Sequence, residues 1–251
     1  MPKVIAIHSF RRGAGKSNLT ANLAALLAAE GRRLGLVDAD LEAPSQRTLF
    51  GLAEAESPQT LNDYLLVKCD IQQAAYDVTP RLGANVRGQL YLVPASEEAR
   101  EMARIMRDGF DVTRLNDGLQ KLAGDLKLEM ILVDTHAGLN EETLRLIALA
   151  DVLALILRHD QRDYQGAAVT VDVARRLEVP RIAVIVNETP AAFPPAEVKA
   201  KVEETYHCEV AGILPYSDDM LTLAGSGLFA RRYPNHPVTA TLKHIAAALA
   251  S

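Results

Sequence analysis

Phe10-Arg11-Arg12-Gly13-Ala14-Gly15-Lys16-Ser17 lies between a short apolar run, Val4-Ile5-Ala6-Ile7, and a long Leu- and Ala-rich stretch that begins at Asn18. Strand, glycine-containing loop and helix, in that order, are what phosphate binding needs. Loop N–H groups and a helix N-terminus point at the anion, a lysine reaches the β- and γ-phosphates, and a serine hydroxyl ligates Mg²⁺. Arg12, Gly13, Ala14, Gly15, Lys16, Ser17 and Asn18 are therefore the candidate phosphate-binding residues, with Ser17 also a candidate metal ligand. The pattern G-x-x-x-x-G-K-[ST] is met at Gly15-Lys16-Ser17, whereas Phe10 stands where its first glycine belongs.

Carboxylates close two further apolar runs. Leu34–Val37 ends in Asp38-Ala39-Asp40, and Met130–Val133 ends in Asp134-Thr135-His136-Ala137-Gly138. In an open α/β sheet, ligands bind beyond the carboxyl ends of the strands, so these acids are expected beside the loop. An Asp that ends a buried strand suits a Mg²⁺-associated carboxylate, which makes Asp38 and Asp134 the candidate metal-site acids. Three strand ends are expected to converge on one site for ATP with Mg²⁺.

The elements that must position these groups are legible as short β-branched and Leu-rich runs alternating with longer helical patterns. The runs are Val4–Ile7, Leu34–Val37, Leu90–Val93, Met130–Val133, Val152–Leu157, Ile182–Val186 and Val210–Leu214. Helices are expected at Asn18–Glu30, Glu97–Met106, Val112–Leu122, Glu141–Leu149, Gly166–Leu177, Ala196–Thr205, Asp218–Ala224 and Val238–Ala250. This alternation predicts an α/β fold: a mostly parallel twisted sheet of about seven or eight strands with helices on both faces. No repeat or linker divides the chain, so residues 1–251 are read as one P-loop NTPase domain.

Composition narrows the function. Hydrophobic residues make up 49% of the chain, enough to bury a full core without disulfides or structural metals. Cys69 and Cys208 stand far apart with no C-x-x-C or Cys/His spacing, which removes the main support for zinc or iron–sulfur chemistry. The N-terminus carries no cleavable signal pattern, and the Leu146–Leu157 apolar stretch is broken by Asp151, so a cytoplasmic chain is expected. A net charge of −5 argues against a strongly nucleic-acid-binding surface.

These residues resemble the ParA/MinD family of deviant-P-loop ATPases over nearly the whole chain. The family's loop reads K-G-G-x-G-K-[ST], its second strand ends in D-x-D and its third motif reads D-[ST]-P-A-G. Arg11–Ser17, Asp38-Ala39-Asp40 and Asp134–Gly138 are similar to these in turn, with Arg11 at the first lysine, Arg12 at a glycine and His136 at the proline. Thr60–Leu65 and Leu92–Ser96 resemble two weaker family segments. Asn187, Pro215 and Tyr216 fall in segments that hold adenine in relatives, and an Asn amide can pair with an adenine edge.

The resemblance implies an ATPase in which ATP drives homodimerisation and hydrolysis separates the dimer, timing the positioning, partitioning or assembly of a cargo. It implies Lys16, Asp40 and Arg11 as catalytic residues. Asp40 would orient or deprotonate water, Asp38 and Asp134 would hold the Mg²⁺ water shell, and Arg11 would replace the lysine that reaches the partner's phosphates. A small activating partner protein or cargo adaptor is expected. Nonspecific DNA could engage Arg100, Arg104 and Arg107, which share a helical face, or Arg231-Arg232. Membrane attachment is not expected, because the Ala-rich Val238–Ser251 tail holds only Lys243 and His244 as bases. Two other readings of the same loop are a nucleotide-dependent interaction module with little turnover, and a carboxylate-activating ligase like the dethiobiotin and cobyrinate diamide synthases.

Overall fold

The computed structural model describes residues 2–223 and 225–251. Its strands are β1 (Lys3–His8), β2 (Arg33–Ala39), β3 (Tyr76–Asp77), β4 (Gln89–Val93), β5 (Met130–Thr135), β6 (Val152–Arg158), β7 (Arg181–Thr189) and β8 (Glu209–Pro215). They form one eight-stranded sheet in the order β3-β4-β2-β5-β1-β6-β7-β8. Every neighbouring pair is parallel except β3–β4. All seven expected strands are present. The eighth, β3, is a two-residue antiparallel edge too short to show a period in sequence.

Strand alternation sends successive side chains to opposite faces, and each face is covered. On one side Ile5, Ile7, Leu34, Leu36, Leu90 and Leu92 pack against the helices α1 (Lys16–Ala29), α10 (Phe229–Arg232) and α11 (Pro237–Ala250). On the other, Val4, Ala6, Val37, Val93, Ile131 and Val133 meet the remaining core. That layer includes α3 (Leu61–Leu65), α5 (Val112–Leu126), α6 (Glu141–Ala148), α7 (Gln161–Arg176) and α8 (Pro195–Tyr206). The other helices are α2 (Gln46–Leu49), α4 (Ala99–Asp108) and α9 (Asp218–Leu223). Ala224, the last residue of one expected helix, lies outside the described residues.

Helix α7 starts at Gln161, five positions before the apolar pattern begins at Gly166. Asp160 caps it, its carboxylate accepting from the Arg162 and Asp163 N–H groups, so a polar first turn is held in the helix. The C-terminal α11 is not a surface tail. Val238, Leu242, Ile245, Ala246 and Leu249 are buried in the core that α1 shares. Among the described residues no helix is long and apolar enough to cross a membrane.

The order β2-β5-β1 carries the site. Asp38 of β2 pairs in register with Asp134 of β5, and Asp134 pairs with Ile7 of β1. Two acids separated widely in sequence thus stand side by side, next to the strand that feeds the glycine loop.

Candidate nucleotide site

Lys16 begins α1 and is 6% exposed, between acids of two different strands. Its Nζ lies 2.9 Å from Asp134 Oδ1, 3.2 Å from Asp40 Oδ2 and 3.4 Å from Ser17 Oγ. Burial works against the lysine's charge, but the Asp134 and Asp40 carboxylates outweigh it and hold its pKa above the ordinary value. Burial, and then the Asp134 charge, push the Asp38 carboxyl far above the usual carboxylate range. Asp40 is less enclosed. Its own burial is outweighed by the His136 hydrogen bond and by Lys16, and its pKa is lowered.

The backbone after β2 wraps the Asp38 carboxylate. Its Oδ2 accepts from Ser45 N and Gln46 N, both at 3.0 Å, and its Oδ1 from Asp40 N at 3.3 Å. Asp40 Oδ1 lies 2.9 Å from His136 Nδ1, while the other ring nitrogen of His136 faces Glu42 at 3.4 Å and Arg12 at 3.3 Å. At the end of β1, His8 is fully buried with Nδ1 at 2.9 Å from Thr135 Oγ1. Burial, then the Lys16 ammonium, push its pKa down to about 3, so it stands there neutral. Neither His8 nor the His136–Asp40 contact has a place in the sequence motifs.

Lys16, Ser17, Asn18, Gly13, Gly15, Arg12 and Asp40 line a cavity of about 470 Å³. A second, of about 200 Å³, adjoins it through Gly15 and Asn18 and is walled by Asn187, Glu188, Pro215, Tyr216 and Ser217. The residues expected at an adenine therefore do gather beside the loop. Asn187 also braces the loop itself, because its Nδ2 donates to Ala14 O at 2.9 Å, which leaves Oδ1 as the side-chain acceptor open to a ligand. Gly15 sits at φ +86° with Asn187 Nδ2 only 2.4 Å from where a Cβ would be, so both backbone conformation and space demand glycine there. A larger open cavity of about 810 Å³ lies by Leu228, Arg231 and Tyr233.

The two loop arginines have separate surroundings. Arg11 turns to its own chain, with Nη1 3.1 Å from Asp163 and 3.4 Å from Asp160, the acids that also hold Arg158. Arg12 is the more exposed and pairs with Glu42. Among the described residues it is not one of the non-glycines with positive φ, so its side chain at a family glycine position imposes no left-handed strain.

Phe10, standing where the pattern has its first glycine, packs against another element. Its ring lies on Gly166 of α7, where an added Cβ would stand 2.1 Å from Phe10 Cδ1. Gly166→Ala is expected to lower stability by about 1–2 kcal/mol, overpacking against Phe10 outweighing the helix propensity gained. Gly124→Ala, on α5 with nothing near its Cβ, should raise stability by roughly 0.5–1 kcal/mol. Urea unfolding of both variants checks the contrast. A stabilised Gly166→Ala chain would mean that Phe10 is free to move aside.

Among the described residues no group of three or more His, Cys, Asp or Glu side chains is arranged to hold a metal directly. The donors at the strand ends nevertheless fit Mg²⁺. Ser17 Oγ, Asp38, Asp40 and Asp134 are all hard oxygens, and Mg²⁺ binds through few protein oxygens while keeping several waters. Burial, and then the neighbouring Asp134 charge, raise the pKa of Asp38, and a divalent cation beside it would favour its ionised form.

Residues 1–250 match the ParA family, described as the NUBPL iron-transfer P-loop NTPase. An uncharacterized ATP-binding protein of Methanocaldococcus jannaschii is 30% identical over 250 residues, covering 99% of this chain and 88% of the relative. The septum site-determining protein MinD of Thermotoga maritima is 24% identical over 257 residues, covering 98% and 87%. Among solved structures, MinD of Pyrococcus horikoshii complexed with Mg-ADP aligns with a TM-score of 0.81 at 20% identity, covering 99% of this chain and 96% of that one. That last likeness is one of fold.

Proposed function

The chain belongs to the ParA/MinD family of P-loop ATP-binding proteins, and from that premise we propose that it hydrolyses Mg²⁺-bound ATP and uses nucleotide-driven dimerisation to position or assemble a cellular cargo. The observation that carries this reading is Lys16, buried and charged between Asp134 and Asp40 where the cavity opens. An ammonium held this way is poised for exchange. Phosphate oxygens entering the loop take over its hydrogen bonds and release Asp40.

Backbone N–H groups from Gly13 to Ser17 cradle the β-phosphate at the start of α1, and Lys16 reaches the γ-phosphate. Ser17 Oγ, with Asp38 and Asp134 behind it, would hold Mg²⁺, whose chemistry is to neutralise charge on the β- and γ-phosphate oxygens. Asp40, steadied by His136, takes the attacking water. Its lowered pKa suits it to orient that water by accepting a hydrogen bond rather than to retain a proton. Asn187, Pro215 and Tyr216 form the base-binding end.

The surfaces favour a protein partner over DNA or membrane. On α4, Arg104 and Arg107 both pair with Asp108, which tempers the positive face. The apolar face of α11 is buried in the core. Cys208 lies against Arg175 and Cys69 in a different part of the fold, so a two-cysteine metal carrier within one chain is not supported.

Arg11 tests the dimer. To reach a partner's phosphates it must leave Asp163 and Asp160, so Arg11→Ala is expected to leave ATP binding by the monomer nearly intact. The ATP-dependent dimer should weaken by at least about tenfold, since two symmetric guanidinium–phosphate contacts are lost at roughly 1.5–3 kcal/mol each. Sedimentation with a slowly hydrolysed ATP analogue reads both species. A wild-type chain that stays monomeric with the analogue bound defeats the dimer model and favours an interaction module. If wild type and Arg11→Ala dimerise equally, the exposed Arg12 becomes the crossing residue.

A further inference from the structure

Gln46 belongs to none of the strand-end motifs, yet it touches all three. It is fully buried at the first position of α2. Its backbone N–H donates to Asp38 Oδ2 at 3.0 Å, and its side-chain Nε2 donates to Asp134 Oδ2 at 2.7 Å and to Ser17 O at 3.0 Å. The amide orientation is fixed by these partners, because both are acceptors and a reversed amide would set oxygen against oxygen. Among the described residues its Oε1 is buried with no hydrogen-bond partner. Buried polar atoms are nearly always paired, so a fully enclosed amide with one half bridging the site and the other half unpaired is a polar device and not core filler.

We infer that Gln46 is a positioning residue for the magnesium–nucleotide site, fixing the Asp38 and Asp134 carboxylates relative to Ser17. This rests on the Mg²⁺–ATP reading above. An aspartate carboxylate rotates broadly about its last torsion, so its oxygens point where their donors hold them. Gln46 engages Oδ2 of both acids and leaves Oδ1 of Asp134 directed at Lys16, 2.9 Å away. The same nitrogen holds the carbonyl of Ser17, so the Ser17-to-Asp134 spacing is set by one side chain. Mg²⁺ requires near-ideal octahedral geometry, which makes its affinity sensitive to such spacing. Because Gln46 sits in the segment that follows Asp40, any movement of that segment is transmitted to all three groups.

Outer partners that orient metal-site groups typically contribute 10- to 100-fold to metal affinity. The experiment is calorimetric titration of ADP into the full chain at a series of MgCl2 concentrations, which separates metal-free nucleotide affinity from the gain that Mg²⁺ adds. Gln46→Met keeps volume and removes the side-chain bonds to Asp134 and Ser17 while leaving the backbone N–H to Asp38 in place. It should reduce Mg²⁺ affinity of the ADP complex about 10- to 100-fold, with metal-free ADP affinity within about twofold of wild type. In an Asp134→Asn background the same substitution should change Mg²⁺ affinity by less than about threefold, because its main partner is already altered.

Gln46→Asn, one methylene too short to bridge Asp134 and Ser17, should show the same selective loss and decides the matter if the Met variant does not fold. A wild-type Mg²⁺ dependence in the folded variant overturns the inference, as does an equal loss with and without Mg²⁺, which would mark a general structural role. If the wild-type chain itself gains no ADP affinity from Mg²⁺, the nucleotide-site reading fails first and takes this inference with it.

Discussion

Lys16→Ala is expected to abolish measurable ATP binding. The ammonium is the one cation among the described residues that is buried at the strand ends, within 3.2 Å of both Asp134 and Asp40. Its charge is secured by those carboxylates against the effect of burial. Two charge-assisted hydrogen bonds to phosphate are worth about 3–6 kcal/mol together, which corresponds to a loss of two to four orders of magnitude in affinity. Arg11 and Arg12 are engaged by other acids, Arg11 by Asp160 and Asp163 and Arg12, at the cavity rim, by Glu42, so neither stands between Asp134 and Asp40 as Lys16 does. Removing the lysine also leaves two neighbouring carboxylates without their counter-ion, a change that can destabilise the fold by about 3–5 kcal/mol unless one takes up a proton. Circular dichroism therefore accompanies the isothermal titration. A folded variant with wild-type affinity would remove the phosphate-loop assignment.

Asp40→Ala carries the second large effect, and it falls on turnover. Mg²⁺–ATP binding should stay within a few-fold of wild type, because the phosphates are held by the loop, Lys16 and Ser17. Hydrolysis should fall at least about tenfold, since a positioned group acting on the attacking water contributes typically 10²- to 10⁴-fold. The structure sharpens this expectation. Asp40 is the most exposed of the three acids, it borders the cavity, and His136 steadies one of its oxygens while Lys16 takes the other. Steady-state phosphate release with a parallel binding titration separates the two effects. Unchanged turnover would move the water-directing role to another group, with His136 the nearest candidate at 2.9 Å.

The chemistry-bearing residues were legible because each lies within a few positions of a strand end, and a strand end announces itself as an apolar run closing on a polar residue. Asp38 and Asp134 follow that pattern, as does the loop from Arg11 to Ser17. Their adjacency was not legible, because it depends on β5 entering between β1 and β2, and sheet order is decided by tertiary packing. The segments around Asn187 and Pro215 were reached through family resemblance. The backbone shows why they meet, since β7 and β8 are neighbours that end beside Gly15.

Gln46 was invisible for a physical reason. A single Gln in a four-residue helix carries no period and no cap, and its role arises from bonds to residues 29 and 88 positions away. Arg11 shows the converse. Its type suggested a phosphate contact, but the capping acid Asp160 and the buried Asp163, both on another element, determine where the guanidinium rests. The early start of α7 has its origin in the same cap, which lets a polar turn precede the apolar face.

The most direct test of the account is phosphate release by the wild-type chain under saturating Mg²⁺–ATP, with Lys16→Ala as the blank and ATP binding measured in the same preparation. The account predicts stoichiometric binding of one ATP per chain and repeated turnover that Lys16→Ala eliminates. Tight Mg²⁺–ATP binding by wild type with no more phosphate release than the Lys16→Ala blank would contradict it, and would leave a nucleotide-dependent interaction module in place of an ATPase.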